Sequence, residues 1–327
     1  MTEAAAVSHL HGPLYAGLAG WNCWLTADTP AGRDMLQRTF RSCQSDQPAR
    51  VSSGICVSVR TPGPPRLRLI SGGRGFTLDQ LMRGPEWKRF ARLPHPSRNL
   101  FVDTILGGEP ALEITGGELL VLQPDRWPIY AQMGFLGLLL HECPCVSLHA
   151  AVLASNGTAL VLIGSSGCGK STLSWALHER GADYFGDEVA VFTVPQYELY
   201  VLSRELYLRP DGLCRLESPP GGDWHEMKPG DPKCVVTPPP PRAPCPRDRA
   251  VLFFMDGFSD EPELNPLGGG AAARRILRSM GCRDESIGAR LELAAGLVDR
   301  YPCWSLIAGP PEVTATAVLA HLSEREA

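Results

Sequence analysis

The first part of the chain alternates short apolar runs with turns that are rich in Gly and Pro. The runs at 55–60, 66–71 and 111–124 predict β-strands, because they are short, strand-like and separated by Gly and Pro turns. Residues 29–40 predict a helix instead, with Thr29 as its cap. We therefore expect a β-rich domain over residues 1–127, with an accessory or substrate-positioning role, since nothing in it carries recognisable chemistry.

The second part, residues 128–327, has the pattern of an α/β domain. A helix is expected over 128–141, and two apolar strands follow, joined by Asn156-Gly157. The Asn-Gly pair is a strong hairpin signal, because both residues tolerate the left-handed backbone of a tight two-residue turn. A helix is then expected over 172–180, with Gly181 just beyond its end.

A Pro- and Gly-rich segment at 218–247 interrupts this pattern. Its composition predicts a flexible loop or lid with polyproline character. The other elements expected in this domain are two strands within 182–194 separated by an acidic pair, further strand within 197–209, a buried strand at 250–256, and helices at 269–281 and 312–325.

Composition and charge exclude several classes of protein. The chain has 327 residues, 44% hydrophobic and 20% charged, with a formal net charge of −4, so we expect a globular protein and no nucleic-acid partner. No apolar run is long enough to predict a membrane partner. The sequence shows no secretory signal and the 11 cysteines lack zinc-ligand spacing, so we expect a cytoplasmic location with reduced cysteines.

The strongest chemical signal is the stretch "GSSGCGKS", which fits the pattern G-x4-G-K-[ST] between an apolar strand and a helix. In such a loop the backbone N–H groups and the helix N-terminus cradle phosphate oxygens. Lys170 would reach the β- and γ-phosphates, and the Ser171 hydroxyl would bind Mg²⁺. The residues predicted to contact the nucleotide are Gly164, Ser165, Ser166, Gly167, Cys168, Gly169, Lys170, Ser171 and Thr172.

Two further groups are expected beside this loop. If Asn156-Gly157 is a two-residue turn, strand register places His149 opposite Gly164. Asp187 and Glu188 follow the loop after one helix and one short strand, and that strand should end at the same edge of the sheet. One carboxylate can bind Mg²⁺ while the other takes a proton from an attacking hydroxyl.

Plainer interpretations stay open for these residues: His149 as a histidine at a strand end, and the acidic pair as a solvated turn. An ABC-type ATPase is the runner-up for the loop, and the strand ending at Asp256 could imitate the acidic strand of that class. The signature LSGGQ that such ATPases need is missing, so we favour a core strand there.

Taken together, "LHAAVL", "GSSGCGKSTL" and "ERGADYFGDEVAVF" resemble the HPr kinase/phosphorylase family, and more closely the HPr-kinase-related proteins. The resemblance covers roughly residues 130–210. It implies an α/β P-loop core of the HPr-kinase and PEP-carboxykinase type, with ATP and Mg²⁺ as cofactors. It also implies that Lys170 and Ser171 hold phosphates and metal, that Asp187 is the general base assisted by His149, and that Glu188 supports the metal.

The same resemblance implies a kinase that phosphorylates a Ser or Thr hydroxyl of a peptide or protein, such as a ribosomally synthesised natural-product precursor. The HPr-kinase signature "EIRG" is missing after the acidic pair, where this chain has "LSRELYLRPDG". Alternatives are a kinase of a small molecule such as free serine, and a non-catalytic nucleotide-binding regulator. Relatives are often oligomers, so a homo-oligomer is compatible with the resemblance.

Overall fold

The structure is a computed structural model that describes most of the second half of the chain and separate parts of the first. The chain divides into two compact units, residues 1–145 and 146–327. Among the described residues, every helix is too short or too polar to cross a lipid bilayer. The described residues are 14–18, 21–27, 30–41, 44–45, 54–60, 66–71, 74–77, 111–115, 145–226, 230–281 and 286–324.

The first unit contains a sheet of seven described strands in the order β3-β1-β2-β4-β7-β5-β6. The helix α1 (Pro30–Thr39) contacts β2 and β4. Strands predicted at 55–60, 66–71 and the start of 111–124 are confirmed, as is the helix; Thr29 and residues 116–124 lie outside the described residues. The strands are β1 (Leu14–Leu18), β2 (Trp21–Ala27), β3 (Gln44–Ser45), β4 (Gly54–Arg60), β5 (Arg66–Ser71), β6 (Arg74–Thr77) and β7 (Ala111–Thr115).

The second unit is mixed α/β, with sheets in the orders β11-β9-β10-β17-β20-β18, β13-β12-β8-β19 and β14-β16-β15. Its strands are β8 (Cys145–Leu148), β9 (Ala150–Ser155), β10 (Thr158–Ile163), β11 (Asp183–Gly186), β12 (Ala190–Thr193), β13 (Leu199–Val201), β14 (Leu206–Leu208), β15 (Asp223–Glu226), β16 (Pro232–Val236), β17 (Ala250–Phe258), β18 (Glu263–Pro266), β19 (Met280–Gly281) and β20 (Cys303–Ala308). Its helices are α2 (Lys170–Glu179), α3 (Pro210–Leu213), α4 (Gly269–Ser279), α5 (Ile287–Arg300) and α6 (Pro311–Glu324).

Two hydrophobic clusters cover the two faces of the six-stranded sheet. Alternate residues of β9 and β10 belong to different clusters, because successive side chains of a strand point to opposite faces. Val152 and Val161 pack with residues of α4 and α5, whereas Leu153 and Leu160 pack with residues of α2 and α6. The sheet is therefore a buried middle layer. One face packs against α4, α5 and strands of the sheet β13-β12-β8-β19, and the other against α2, α6, β14 and β16.

The predicted hairpin is confirmed down to its register. Asn156 and Gly157 have φ of 50° and 73°, and the ladder runs from Ser155 opposite Thr158 to Ala150 opposite Ile163. Continuing by one position places His149 opposite Gly164, as the turn predicts.

The strand that leads to the acidic pair also ends where it was expected. β9 is antiparallel to both β10 and β11, so β10 and β11 run in the same direction with β9 between them. The ends of β10 and β11 therefore lie at one edge of the sheet, which we call the site edge. The helix α2 connects them, and the N–H of Gly181 donates to His178 O over 2.8 Å at its predicted end.

The segment 218–247 differs from the loop that its composition predicts. Two of its parts, β15 and β16, form antiparallel strands that extend a small sheet from β14. Pro232 is the first residue of β16, a position where a strand tolerates the missing N–H. Residues 237–247 carry no helix or strand. The expected helix at 128–141 lies outside the described residues, and α5, β18 and β20 were not predicted.

Gly186, the last residue of β11, is tightly enclosed. A Cβ added there would lie 2.8 Å from the carbonyl oxygen of Leu202 and 2.9 Å from Cγ1 of Val201. We expect Gly186→Ala to lower the free energy of unfolding by about 2 kcal/mol, because backbone has to move to admit the methyl group. Urea denaturation measures the change. Gly288→Ala in α5 is the control, since its Cβ would meet only Ser286 Oγ at 3.8 Å; an equal loss in both variants would contradict the steric argument.

Candidate functional site

The segment between β10 and α2 folds as a compact Gly-rich loop (residues 164–171). Gly167 and Gly169 have φ of 87° and 91°, in the left-handed region that favours glycine. Gly164 faces Cys168, whose Sγ would lie 2.5 Å from a Cβ added at Gly164. The glycines therefore allow a tight turn that a chain with side chains at these positions would not form.

Lys170 begins α2 and lies against this loop. Its side chain is buried, and its Nζ donates to the carbonyl oxygens of Gly164 at 2.8 Å and Ser165 at 3.2 Å. Gly169, the N-cap of α2, has no side chain to cap the helix. The loop thus combines an ammonium group with the partial positive charge of a helix N-terminus, an arrangement suited to an anion.

Asp187 connects the acidic pair to α2. It is buried, its Oδ2 accepts a hydrogen bond from Ser171 Oγ at 2.6 Å, and its Oδ1 accepts one from the N–H of Glu188 at 2.9 Å. A hydroxyl and a carboxylate in contact are hard oxygen donors of the kind that Mg²⁺ prefers. Within the described ranges, no group of three or more His, Cys, Asp or Glu side chains is placed to hold a metal ion.

Glu188 points to different partners. Its backbone has a φ of 87°, which is unusual for a residue with a side chain and marks local strain. Its Oε2 lies 3.2 Å from Nε2 of His149, and its Oε1 lies 3.7 Å from Nη1 of Arg204. Burial alone would raise the pKa of Glu188, but the charge of Arg204, then the hydrogen bond and charge of His149, hold that pKa well below its usual range.

His149 is fixed by its own backbone and by that of its neighbour. Its N–H donates to Ser279 O at the end of α4 over 3.1 Å, and the N–H of Ala150 donates to Glu188 O over 3.3 Å. About a third of its side chain is exposed. The imidazole therefore meets Glu188 on one side and remains accessible from solvent.

Three cationic side chains from the sheet β14-β16-β15 and its flanks lie near the site: Arg204 and Lys233 near Glu188, and Arg209 beside the Gly-rich loop. Arg204 is buried and its Cζ lies 4.4 Å from the centre of the Tyr207 ring; Lys233 Nζ lies 5.9 Å from the same ring. Nη1 of Arg209 would lie 3.5 Å from a Cβ added to Gly167 of the Gly-rich loop. Burial lowers the pKa of Lys233, although the nearby carboxylates of Asp231 and then Glu188 oppose the shift.

Sequence reasoning missed these three cations. They lie on segments that come after the acidic pair, and no spacing rule links them to the Gly-rich loop. The available signal was a pair of arginines, Arg204 and Arg209, on either side of a short apolar strand that follows the acidic pair.

The structure brings together most of the predicted site residues: Lys170, Ser171, Asp187, Glu188 and His149 lie at the site edge. Ser165, Ser166 and Gly167 are exposed on the Gly-rich loop, and Cys168 Sγ lies 4.0 Å from Lys170 Nζ. Thr172 instead lies beside α3, where its Oγ1 would meet a Cβ added at Gly212.

Asp256 directly follows the buried part of β17, the strand parallel to β10. The strand predicted at 250–256 is confirmed. Oδ2 of Asp256 lies 2.8 Å from Nη2 of Arg275 and accepts a hydrogen bond from Ser305 Oγ. Asp256 is thus engaged with α4 and β20.

No protein-family model matches this chain, and no curated protein matches it at a significant level.

The contact between Arg204 and Glu188 gives a stability prediction. Arg204→Met leaves the carboxylate of Glu188 without its nearest guanidinium, so we expect the free energy of unfolding at neutral pH to fall by about 2 kcal/mol, below the loss for a wholly buried pair because a third of Glu188 is exposed. Because the folded pKa of Glu188 is lowered, its contribution to stability exists above its unfolded pKa and is lost as pH falls through the folded pKa.

Denaturation of both proteins across acid and neutral pH measures this effect. The difference between the wild type and Arg204→Met should narrow toward acid pH. The double variant Arg204→Met with Glu188→Gln should recover part of the loss, since it removes both charges. A difference that stays constant with pH, with no recovery in the double variant, would attribute the loss to packing alone.

Proposed function

We propose that this protein is an ATP-dependent kinase of the HPr-kinase-like type, which transfers the γ-phosphoryl group to a Ser or Thr hydroxyl of a peptide or protein. The observation that carries the proposal is the meeting of two sets of groups at the site edge. One set, Lys170, Ser171 and Asp187, suits nucleotide phosphates with Mg²⁺. The other, His149 with Glu188, suits a hydroxyl that loses its proton.

The Gly-rich loop would hold the nucleotide. Backbone N–H groups of the loop and of the first turn of α2 would donate to phosphate oxygens, and Lys170, which now contacts loop carbonyls, would supply its positive charge to the phosphates. Ser171 and Asp187 would hold Mg²⁺, which neutralises charge on the phosphates when it is bound.

The contacts favour an assignment of the two carboxylates that is the reverse of the one implied by the family resemblance. Both oxygens of Asp187 are engaged, one with Ser171 and one with the N–H of Glu188. Glu188 faces His149 instead. We therefore assign metal binding to Asp187 and proton handling to Glu188 with His149.

In the proposed reaction the acceptor oxygen attacks the γ-phosphorus, and the bond from that phosphorus to the oxygen of the leaving ADP breaks. The hydroxyl proton passes to the pair of Glu188 and His149. A strong base is not required, because charge stabilisation and positioning account for most of the catalysis in phosphoryl transfer. Arg204 keeps Glu188 ionised and ready to accept the hydrogen bond of the hydroxyl.

Arg209 is the third part of the proposed machinery. Its guanidinium lies beside Gly167 of the Gly-rich loop and within 3.6 Å of Asp231, measured from Nε to Oδ1. A guanidinium at this place can stabilise charge on the transferring phosphoryl group.

An assay that follows the labelled γ-phosphate of ATP tests the proposal. The protein is incubated with Mg²⁺ and γ-labelled ATP, together with serine- and threonine-containing peptides, free serine, or no acceptor. The proposal predicts label on a peptide hydroxyl. Label on free serine alone would assign a small-molecule kinase, and ATP bound without any transfer or hydrolysis would assign a regulatory nucleotide-binding protein.

A further inference from the structure

A cavity lies on the helix α4, outside the groups that the proposed reaction uses. It has a volume of about 380 Å³ and is lined by Ala271, Arg274, Arg275 and Arg278. We propose that this arginine face of α4 binds acidic side chains of the peptide acceptor, next to the site edge. The inference rests on the proposed function, since it names the class of peptide that the kinase selects.

The charge of α4 favours an anionic partner. The helix contains three arginines and no acidic residue, and Arg274 and Arg278 are both exposed. Like charges spaced by four residues destabilise a helix, so this arrangement has a cost that an anionic partner removes. The whole chain has a formal net charge of −4, so the positive charge is local to this face.

The helix α4 ends near the site edge. The carbonyl oxygen of Ser279, at the end of α4, accepts the hydrogen bond of the His149 N–H over 3.1 Å. Arg275 lies one turn earlier and forms an ion pair with Asp256 of β17, the strand next to β10. The C-terminal end of α4 therefore lies beside the backbone of His149, and Arg275 lies at the end of the strand next to β10.

The guanidinium groups of α4 have the chemistry to bind carboxylates. Nη1 of Arg275 is buried and has no hydrogen-bond partner among the described residues, while Nη2 of Arg275 contacts Asp256. Guanidinium groups present several donors in a plane and bind carboxylates with two parallel hydrogen bonds. A cavity of this size accommodates one or two acidic side chains, which is the scale of a short recognition motif.

Binding without nucleotide tests the inference separately from catalysis. The probe is a fluorescein-labelled peptide with one serine and a run of aspartates, and its counterpart carries asparagines. Fluorescence anisotropy should show that the aspartate peptide binds, that the asparagine peptide does not, and that added salt weakens binding. Arg274→Ala combined with Arg278→Ala should weaken binding roughly tenfold, since both lost charges face the ligand.

The matched control is Arg180→Ala combined with Arg300→Ala, which removes the same charge. Arg180 follows the far end of α2, and Arg300 contacts Asp248 O just before β17, so both lie away from the site edge. The control should bind within about twofold of the wild type. Equal weakening in both double variants, equal binding of both peptides, or displacement by inorganic phosphate or an oligonucleotide as readily as by unlabelled aspartate peptide would overturn the inference.

The two proposals fail in different ways. Selective binding of the aspartate peptide without any phosphate transfer would keep the docking face and reject the kinase. Transfer with the same KM for both peptides, in the wild type and in the variant at Arg274 and Arg278, would keep the kinase and reject the docking face.

Discussion

Lys170→Ala is expected to lower phosphoryl transfer by about a hundred- to a thousandfold, because it removes the ammonium group that lies within the Gly-rich loop. A neutral methyl group offers nothing to the negative charge on the β- and γ-phosphates. Nucleotide affinity should fall as well, since the same group contacts the phosphates before the reaction. Titration with a fluorescent ATP analogue and steady-state transfer rates measure the two effects.

Folding must be separated from chemistry in this variant. Lys170 is buried and contacts two carbonyl oxygens, so its removal can also lower stability. Circular dichroism and a melting curve check the fold, and Arg180→Ala, at the far end of α2, serves as the control. A folded Lys170→Ala protein that transfers phosphate at the wild-type rate would contradict the assignment of the loop.

The second large effect concerns the acidic pair. Glu188→Gln should lower kcat by roughly a hundred- to ten-thousandfold, because the acceptor proton loses its destination. Nucleotide affinity and the Mg²⁺ requirement should stay close to those of the wild type, since Glu188 faces His149 and Arg204. Rates measured across a Mg²⁺ titration distinguish a lower kcat from a raised Mg²⁺ requirement.

Asp187→Asn is the matched variant and should behave differently. Its side chain contacts Ser171 Oγ, so the Mg²⁺ concentration for half-maximal rate should rise at least roughly tenfold, with part of the rate recovered at high Mg²⁺. The opposite pattern would restore the assignment implied by the resemblance, with Asp187 as the base: unchanged Mg²⁺ dependence in Asp187→Asn and a raised requirement in Glu188→Gln.

Local sequence signals predicted the parts of the site that depend on backbone geometry. The Asn156-Gly157 turn fixes strand register, and register alone delivers His149 to the start of the Gly-rich loop. Likewise, β10, the Gly-rich loop, α2 and β11 follow one another along the chain, so β11 and the acidic pair after it end at the site edge. Both placements depend on residues close together in the sequence, and they follow from the type of turn and the lengths of the strand and helix.

Side-chain orientation and long-range approach could not be predicted in the same way. The φ of 87° at Glu188 turns its side chain away from the partners of Asp187, and nothing in the sequence indicates it. Arg204, Arg209 and Lys233 reach the site from β14, β16 and their flanks, and the Pro-rich composition of 218–247 hid the strand that carries Lys233. Tertiary packing determines the orientation of the Glu188 side chain and the approach of the three cations.

The central claim, phosphoryl transfer to a peptide hydroxyl at this edge, is tested most directly by mass spectrometry of an acceptor peptide after incubation with the protein, Mg²⁺ and ATP. A peptide encoded next to this gene is the first choice. The account predicts the mass of one added phosphate, located on a Ser or Thr, and no addition with Lys170→Ala or Glu188→Gln. An unmodified peptide with ATP bound, or equal phosphate addition by all three proteins, would contradict it.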